Sequence, residues 1–415
     1  TLTVSIPSGG DGAEDVLAIR NQGTGAGQIG VSGANVTYQG VTIGTFTGGS
    51  SGTNLVVTLN SNATSTAVTA LVKNITYQDT DTNAPTTGAR TVRYVLTDGD
   101  GGTSANYDTT VTVTAVNDAP VLTNGGSAGA GEDSGGNPFF GVVTVTDPDS
   151  ADFNGGTLTA SISVGGESTD KLQLLGIGGV SLSGSNVLVS GVTVGTWSGG
   201  TGGTPLTVSF NVNAQAAQVQ AVYQSITYST TSDTPTLGVR TISVVVTDGD
   251  GGTSNTGTGT VNLTTAVNDQ PVFSNLNGTP TYTEGGAAVV LDADVTIFDA
   301  ELTNANNFSG ATLTLTRNGG ANAQDVFSAS GTLSLSGGNV VVSGTTIGTY
   351  TNSGGTLQFT FNSSATNTLV NQAMQQIAYS NSSDTPPASA QINWTFNDGN
   401  TGSQGTGGAL QATGS

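Results

Sequence analysis

The chain has 415 residues, with 28 Asp and Glu against seven Lys and Arg, for a net charge of −21. It contains no Cys, no His and one Met, which excludes disulfides, thiolate or imidazole metal sites and His-based acid–base catalysis. Any bound metal is therefore held by oxygen. The negative field repels phosphate backbones and anionic lipid, so no nucleic acid and no membrane insertion are expected.

From the start, "TLTVSI" alternates Leu2, Val4 and Ile6 with polar residues, which predicts a strand with one buried face. The stretch "NATSTAVTALVKNITY" departs from that period. Val68, Leu71 and Ile75 fall at helical spacing after Asn62, predicting a short helix with Asn62 as its N-cap. Alternation returns at Val92, Tyr94 and Leu96 in "TVRYVL" and at Val111 and Val113 in "TTVTVT". Between these two strands stands "TDGDGG", which as a hairpin turn needs only its Asp-Gly. The linker "AVNDAP" follows at Ala115.

This order repeats. "ITYQD", "ITYST" and "IAYSN" begin at Ile75, Ile226 and Ile377, each 151 residues after the last. "GVTIGTF" at Gly40 returns as "GVTVGTW" at Gly191 and "GTTIGTY" at Gly344, and the linker returns as "AVNDQP" at Ala266. Asn213 and Ser364 take the N-cap place of Asn62 in the later copies. The boundaries fall at 1–119, 120–270 and 271–415, an ordinary size for domains. Each copy is expected to be an all-β sandwich with one short helix.

Thr1 in "TLTVSI" matches Thr157 in "TLTASI", and the second copy begins near Val121, 36 residues before Thr157. The first copy is thus expected to lack its opening strands and the third its closing linker, as in a window from a longer array, or one whose missing strands a neighbouring chain donates. A first residue other than Met reads the same way. Phe46, Trp197 and Tyr350, each closing a "G-x-x-x-G-T" run, are expected in the core, the alternative being exposed contact points of a self-assembling filament. The sequons at Asn62, Asn74 and Asn393 matter only in a host that glycosylates.

Acidic residues gather at recurring places. The second copy has Glu132 in "GEDSGG", then Asp147, Asp149 and Asp152 in "VTDPDSADF", then Asp248 in "VTDGDGG". The third has Asp299 and Glu301 in "FDAEL" and Asp398 in "NDGN", while the first has Asp98 in its own "TDGDGG". Asn117 and Asp118 lie in the first linker, Asn268 and Asp269 in the second. In order, these motifs are similar to those of cadherin repeats, β-sandwiches with calcium between consecutive domains. The phrasing "TDGDGGTS…VTVTAVNDAPV" resembles the cadherin-like repeats of very large bacterial surface and secreted proteins, adhesins among them. The acidic motif expected before the penultimate strand is missing, with "ITYS" in its place, and Asp233 and Asp384 lie a few residues beyond.

The resemblance implies tandem cadherin-like, Ig-like Greek-key sandwiches. It implies Ca²⁺ at two junctions, one gathering Asn117, Asp118, Asp147, Asp149 and Asp248, the other Glu132, Asn268, Asp269, Asp299, Glu301 and Asp398. Asp98 and Asp152 complete the expected ligands. Crowded carboxylates with no nitrogen or sulfur donors suit a hard cation with six to eight oxygen ligands. The expected function is a non-enzymatic, extracellular, calcium-stiffened spacer of a bacterial surface adhesin or fibre. The alternatives are a self-assembling filament or matrix and, behind it, a calcium-dependent carbohydrate-binding module. The expected partners are other copies or repeats of the same polypeptide, with cell-surface or matrix glycans next.

Overall fold

A computed structural model describes residues 1–123 and 125–415, Asn137 by its backbone alone. The chain divides into two compact units. Unit 1 is Thr1–Val121 with the loops Thr146–Gly156 and Thr247–Ser254; unit 2 is Leu122–Val145, Thr157–Val246 and Asn255–Ser415.

Unit 1 contains β1 (Leu2–Ser8), β2 (Asp15–Ile19), β3 (Ile29–Ser32), β4 (Asn35–Tyr38), β5 (Val41–Thr47), β6 (Leu55–Leu59), α1 (Ser65–Val72), β7 (Ile75–Asp79), β8 (Gly88–Leu96) and β9 (Tyr107–Val113). Seven strands make one antiparallel sheet in the order β3-β4-β5-β6-β1-β8-β9, and β2 pairs with β7 in a second. Leu2, Val4, Leu17, Val57 and Leu71 are buried in one core. The alternating residues Thr3 and Ser5 point away from it, as the period-two pattern requires.

Unit 2 repeats the plan twice. Its first sandwich has an eight-stranded sheet, with Ser127–Gly131 added in parallel to Gly257–Thr265 at one edge, facing the strands Asn137–Pro138, Ile226–Thr230 and Asp170–Leu174. It carries α2 (Ala216–Gln224). Its second sandwich has a seven-stranded and a three-stranded sheet, with two helices, α3 (Ala300–Ala305) and α4 (Asn367–Met374). The fold class is all-β, in tandem sandwiches.

Two details differ from the sequence reading. The helices start two residues or so later than Asn62, Asn213 and Ser364 suggest. Thr64 and Thr366 are the N-caps of α1 and α4, each accepting a backbone amide at its hydroxyl, while Gln215 opens α2 without a side-chain cap. Asn62 and Asn213 tie the turn to an earlier strand instead, donating their side-chain amides to Thr42 O at 3.1 Å and Thr193 O at 3.0 Å. The third copy also has a second helix. Asp299 caps α3 by accepting from Leu302 N at 2.9 Å, and Asn306, left-handed at φ 49°, closes it.

The "G-x-x-x-G-T" markers are bulges. The β4–β5 register shifts at Val36/Thr37, and the equivalent pairings shift at Val187/Leu188 and Val340/Val341. A Cβ at Gly44 would sit 2.3 Å from Thr58 O, and at Gly195 2.2 Å from Ser209 O. The second Gly lets two strands approach closely. Phe46, Trp197 and Tyr350 are half-buried, with Phe46 and Tyr350 packed against the cores.

Each core also encloses a charged group that the sequence reading missed. Asp15, Asp170 and Asp325 are buried, and each accepts from a Tyr hydroxyl and an Arg: Tyr77 and Arg90, Tyr228 and Arg240, Tyr379 and Arg317. The Tyr228 and Tyr379 bonds are 2.6 Å. In the third copy the Arg comes from another strand: Ala390 stands where the repeat places Arg, and Arg317 reaches Asp325 at 2.7 Å from the end of Thr312–Arg317. Removing one member of such a pair strands its partner's charge in the interior. Asp170→Ala is therefore expected to destabilise unit 2 by about 3–5 kcal/mol, and Tyr228→Phe by about 1 kcal/mol, in urea unfolding. Equal, small effects from both would show that Arg240 is rescued by water.

Candidate functional site

The Asp-Gly turns do more than reverse the chain. Thr247 and Thr253 form a bridge, and Oδ1 of Asp248 accepts the amides of Asp250, Gly251 and Gly252 at 2.8, 3.0 and 2.9 Å. Gly249 and Gly251 adopt φ of 98° and 118°, which side chains resist. Asp248 is fully buried. Turn chemistry accounts for its Oδ1, whereas Oδ2, which shares the Gly252 amide at 3.0 Å, also serves the linker, accepting from Asn117 Nδ2 at 2.9 Å. Asp118 N donates to Asp149 Oδ2 at 3.1 Å, and Asp149 N and Ser150 N donate to Asp147 Oδ1 at 3.3 and 3.1 Å. Asp152 accepts from Asn154 N at 3.0 Å. This first cluster lies wholly within unit 1.

The second cluster, within unit 2, follows the same plan. Asn268 Nδ2 donates to Asp398 Oδ2 at 2.7 Å, and Asp398 takes Asn400 N and Leu410 N as well. Asp269 N donates to Glu301 Oε1 at 3.2 Å, as Asp118 N does to Asp149. Asp299, the cap of α3, stands where Asp147 stands in the first. Glu132 adds a carboxylate from the preceding sandwich and accepts Val267 N at 2.8 Å. Asp98 joins neither cluster: it is exposed, and among the described residues it bonds the Asp100 and Gly102 amides of its own turn.

The electrostatics follow from burial. Burial pushes Asp248 up, but the Asn117 amide and the turn amides outweigh it, and its carboxyl sits below the usual range. Asp147 is pushed up by burial and by the Asp149 side chain beside it, against the Ser150 amide. Burial also raises Asp269 and Asp299, helped by neighbouring carboxylates. Glu132 is raised from 4.5 to about 7 by burial, against the Val267 amide, with Asp269, Asp133 and Asp233 adding repulsion. Glu301 is likewise raised to about 7, by burial and by Asp299 and Asp269.

Several of these oxygens are enclosed without a hydrogen-bond partner: Asp118 Oδ2, Asp147 Oδ2 and Asp149 Oδ1 in the first cluster, and Glu132 Oε1, Asn268 Oδ1, Asp269 Oδ2 and Asp299 Oδ2 in the second. Buried polar atoms are rarely left so, because each costs the desolvation of an unpaired group. Matching residues carry them, Asp118 with Asp269 and Asp147 with Asp299. Among the described residues, no three acidic side chains stand close enough to hold a metal ion by themselves. An ion here would draw on amide and carbonyl oxygens too.

No protein-family model matches the chain, and no curated protein does. Solved structures similar to it include mouse cadherin-23 EC22-24 (11% identity, covering 98% of this chain and 86% of that one, TM-score 0.23). Drosophila N-cadherin EC1-4 matches at 11% identity over 97% of this chain and 67% of that one, TM-score 0.20. Protocadherin gamma B2 extracellular cadherin domains 3-6 match at 12% over 96% and 64%, TM-score 0.24. Superpositions this loose carry no functional argument.

The raised Glu132 and Glu301 carboxyls make a signed prediction. Both hold a proton more tightly folded than unfolded, so between the ordinary 4.5 and about 7 the folded state binds more protons. Without divalent cations, the thermal midpoint of unit 2 should therefore fall as pH rises through that window and level off above it. Asp292, lowered by its four amide donors in opposition to burial, titrates below the window. A midpoint that climbs from pH 5 to 7 would overturn the assignment.

Proposed function

We propose that the chain is a non-enzymatic, extracellular adhesive or structural repeat array, a spacer of the kind found in bacterial surface adhesins, stiffened at its linkers by Ca²⁺. The observation that carries this reading is the duplicated frame: a linker Asn amide on a buried turn Asp, the next Asp amide on an acidic side chain, and matching unpartnered carboxylate oxygens at both places. A solubilising surface charge would have no reason to be buried twice in one pattern.

The donor set suits a hard cation, since all of it is oxygen and much of it is carboxylate. Asn117, Asp118, Asp147, Asp149 and Asp248, with Asp152 beside them, would hold the ion in the first cluster. Glu132, Asn268, Asp269, Asp299, Glu301 and Asp398 would hold it in the second. The ion supplies positive charge that lets these carboxylates ionise together; the protein's part is to hold the linker against the turn. At the second cluster Glu132 precedes the linker and Asp299, Glu301 and Asp398 follow it, so ligands shared between them favour one arrangement of two consecutive sandwiches. The partners this implies are further repeats or copies of the same polypeptide. With no His and no Cys, catalysis has little to draw on.

Calcium sites of extracellular modules bind at roughly 10⁻⁴ to 10⁻³ M. Millimolar calcium is about one- to tenfold the dissociation constant and stabilises by about 0.4–1.4 kcal/mol, so the thermal midpoint should rise, and further at ten millimolar. Asp269→Asn with Glu301→Gln should abolish the rise at the second cluster, and Asp147→Ala with Asp149→Ala should abolish it at the first. Both variants are expected to keep a β circular-dichroism signature. Calorimetry with no heat of binding at millimolar calcium would sink the proposal.

A further inference from the structure

The outer edge of the large sheet is treated differently in each repeat. In unit 1 that edge is β3, and the long loop before it covers it. Asn21 takes both outward backbone groups of Val31 at 3.2 Å, and Gln22 donates its own amide to Ile29 O at 2.7 Å and accepts Ile29 N at its side chain at 3.1 Å. In the third repeat the edge is Leu333–Ser336, where Gln376 Oε1 accepts Leu333 N at 2.8 Å and Leu335 packs against the core. The second repeat has neither device. Its edge strand, Val180–Ser183, pairs on one side only, with Asn186–Val189. The loop before it, residues 175–179, is shorter than its counterpart in unit 1, residues 20–28. Leu182, the equivalent of Val31, is exposed, as are Leu175 and Ile177. Open edges are ordinarily guarded by charge or Pro. This one is not: Val180–Ser183 has no Pro, and residues 172–232, which supply it and the next three strands inward, contain no Asp, Glu, Lys or Arg.

We propose that Val180–Ser183 is a self-association edge: it pairs antiparallel with the same strand of a second copy of the chain, Leu182 opposite Leu182, and joins two sandwiches into one continuous sheet. This rests on the reading above that copies of the polypeptide are its partners, and it names the surface through which they meet. Charge selects the occupant. A chain of net charge −21 repels its own copies, and a two-fold contact sets each residue near its own image, so copies meet most readily where no carboxylate faces its like. An uncharged edge meets that condition and offers a charged partner nothing. The register follows from the hairpin. Val31 turns its amide and carbonyl outward to Asn21, so Leu182, at the same place, turns its own outward, where its image can exchange both bonds with it.

The test is sedimentation equilibrium of the 415-residue protein over a concentration series, with calcium and with chelator. The expected result is a reversible monomer–dimer equilibrium, equal in both media because no residue of either acidic cluster lies on this edge. Leu182→Pro removes the outward amide twice per dimer and leaves the pairing with Asn186–Val189 in place, so it should weaken association at least about tenfold. Replacing residues 175–179 by the 20–28 sequence should weaken it similarly, since the graft brings the Asn and Gln that cover β3. The chain has no Cys, so Leu182→Cys should give a disulfide-linked dimer on mild oxidation, whereas Ser198→Cys, exposed on the same sandwich two strands inward, should not. A monomer at every concentration, a dimer that survives both changes, or equal cross-linking from position 198 would each overturn the proposal. Calorimetry on the same samples separates it from the calcium reading: a monomer that binds calcium fails this proposal alone, and a dimer that binds none fails only the other.

Discussion

The structure turns on a carboxylate that has left water. Asp248 and Asp398 are fully buried, and a buried charge persists only where donors surround it. Each hairpin turn offers backbone amides to one oxygen, and a linker Asn offers its side-chain amide to the other. That single bond ties the chain leaving one repeat to the last hairpin of the next. It also fixes where the following Asp amide falls, which is why Asp118 meets Asp149 and Asp269 meets Glu301.

The same constraint explains how the repeat tolerates drift. The acidic side chain that receives the linker amide is Asp149 on a loop in one place and Glu301 in the first turn of α3 in the other. The longer Glu reaches from a helix that the loop lacks. In the cores, Arg317 replaces Arg240 from a neighbouring strand and still meets the Asp and the Tyr hydroxyl. What persists is the satisfied carboxylate, and the donor's place along the chain is free to move.

This makes clear which features the sequence could express. Strand alternation, the helix after the sixth strand and the repeat period were legible because burial of one face writes a period into the residues. The positions of the linker and turn acids were legible because they recur in order. The caps were misplaced because Asn62 and Asn213 are good caps by type, yet their amides reach a strand about twenty residues upstream, a contact that local pattern cannot express. The buried Asp15, Asp170 and Asp325 had a signal in "AEDV", "STDK" and "AQDV", each opening a strand that pairs with the strand of the "I-x-Y" marker, two residues from its Tyr. It was obscured because a lone Asp in an acidic chain resembles surface charge. The α3 helix was hidden for a related reason, since Asp299 was read as a ligand and its capping of Leu302 N is a second use of the same side chain.

Charge supply decides how the clusters can be neutralised. Of seven cationic side chains, Arg90, Arg240 and Arg317 are committed to the buried Asp of each sandwich, and Arg93 to Asp108 on the surface of unit 1. Among the described residues, no ion pair places Lys or Arg on Asp118, Asp147, Asp149, Asp269, Asp299 or Glu301. A protein that wanted these carboxylates permanently paired would have spent an Arg on them, as it does three times over in its cores. Left without an internal cation, the clusters can be neutralised by protons, which Glu132 and Glu301 retain up to about pH 7, or by a cation from outside. Near pH 7 that proton is only about half held, which leaves room for the oxygen-seeking cation proposed above. The cores thus neutralise each buried Asp with an Arg of their own, whereas among the described residues the linker clusters have no cationic side chain beside them.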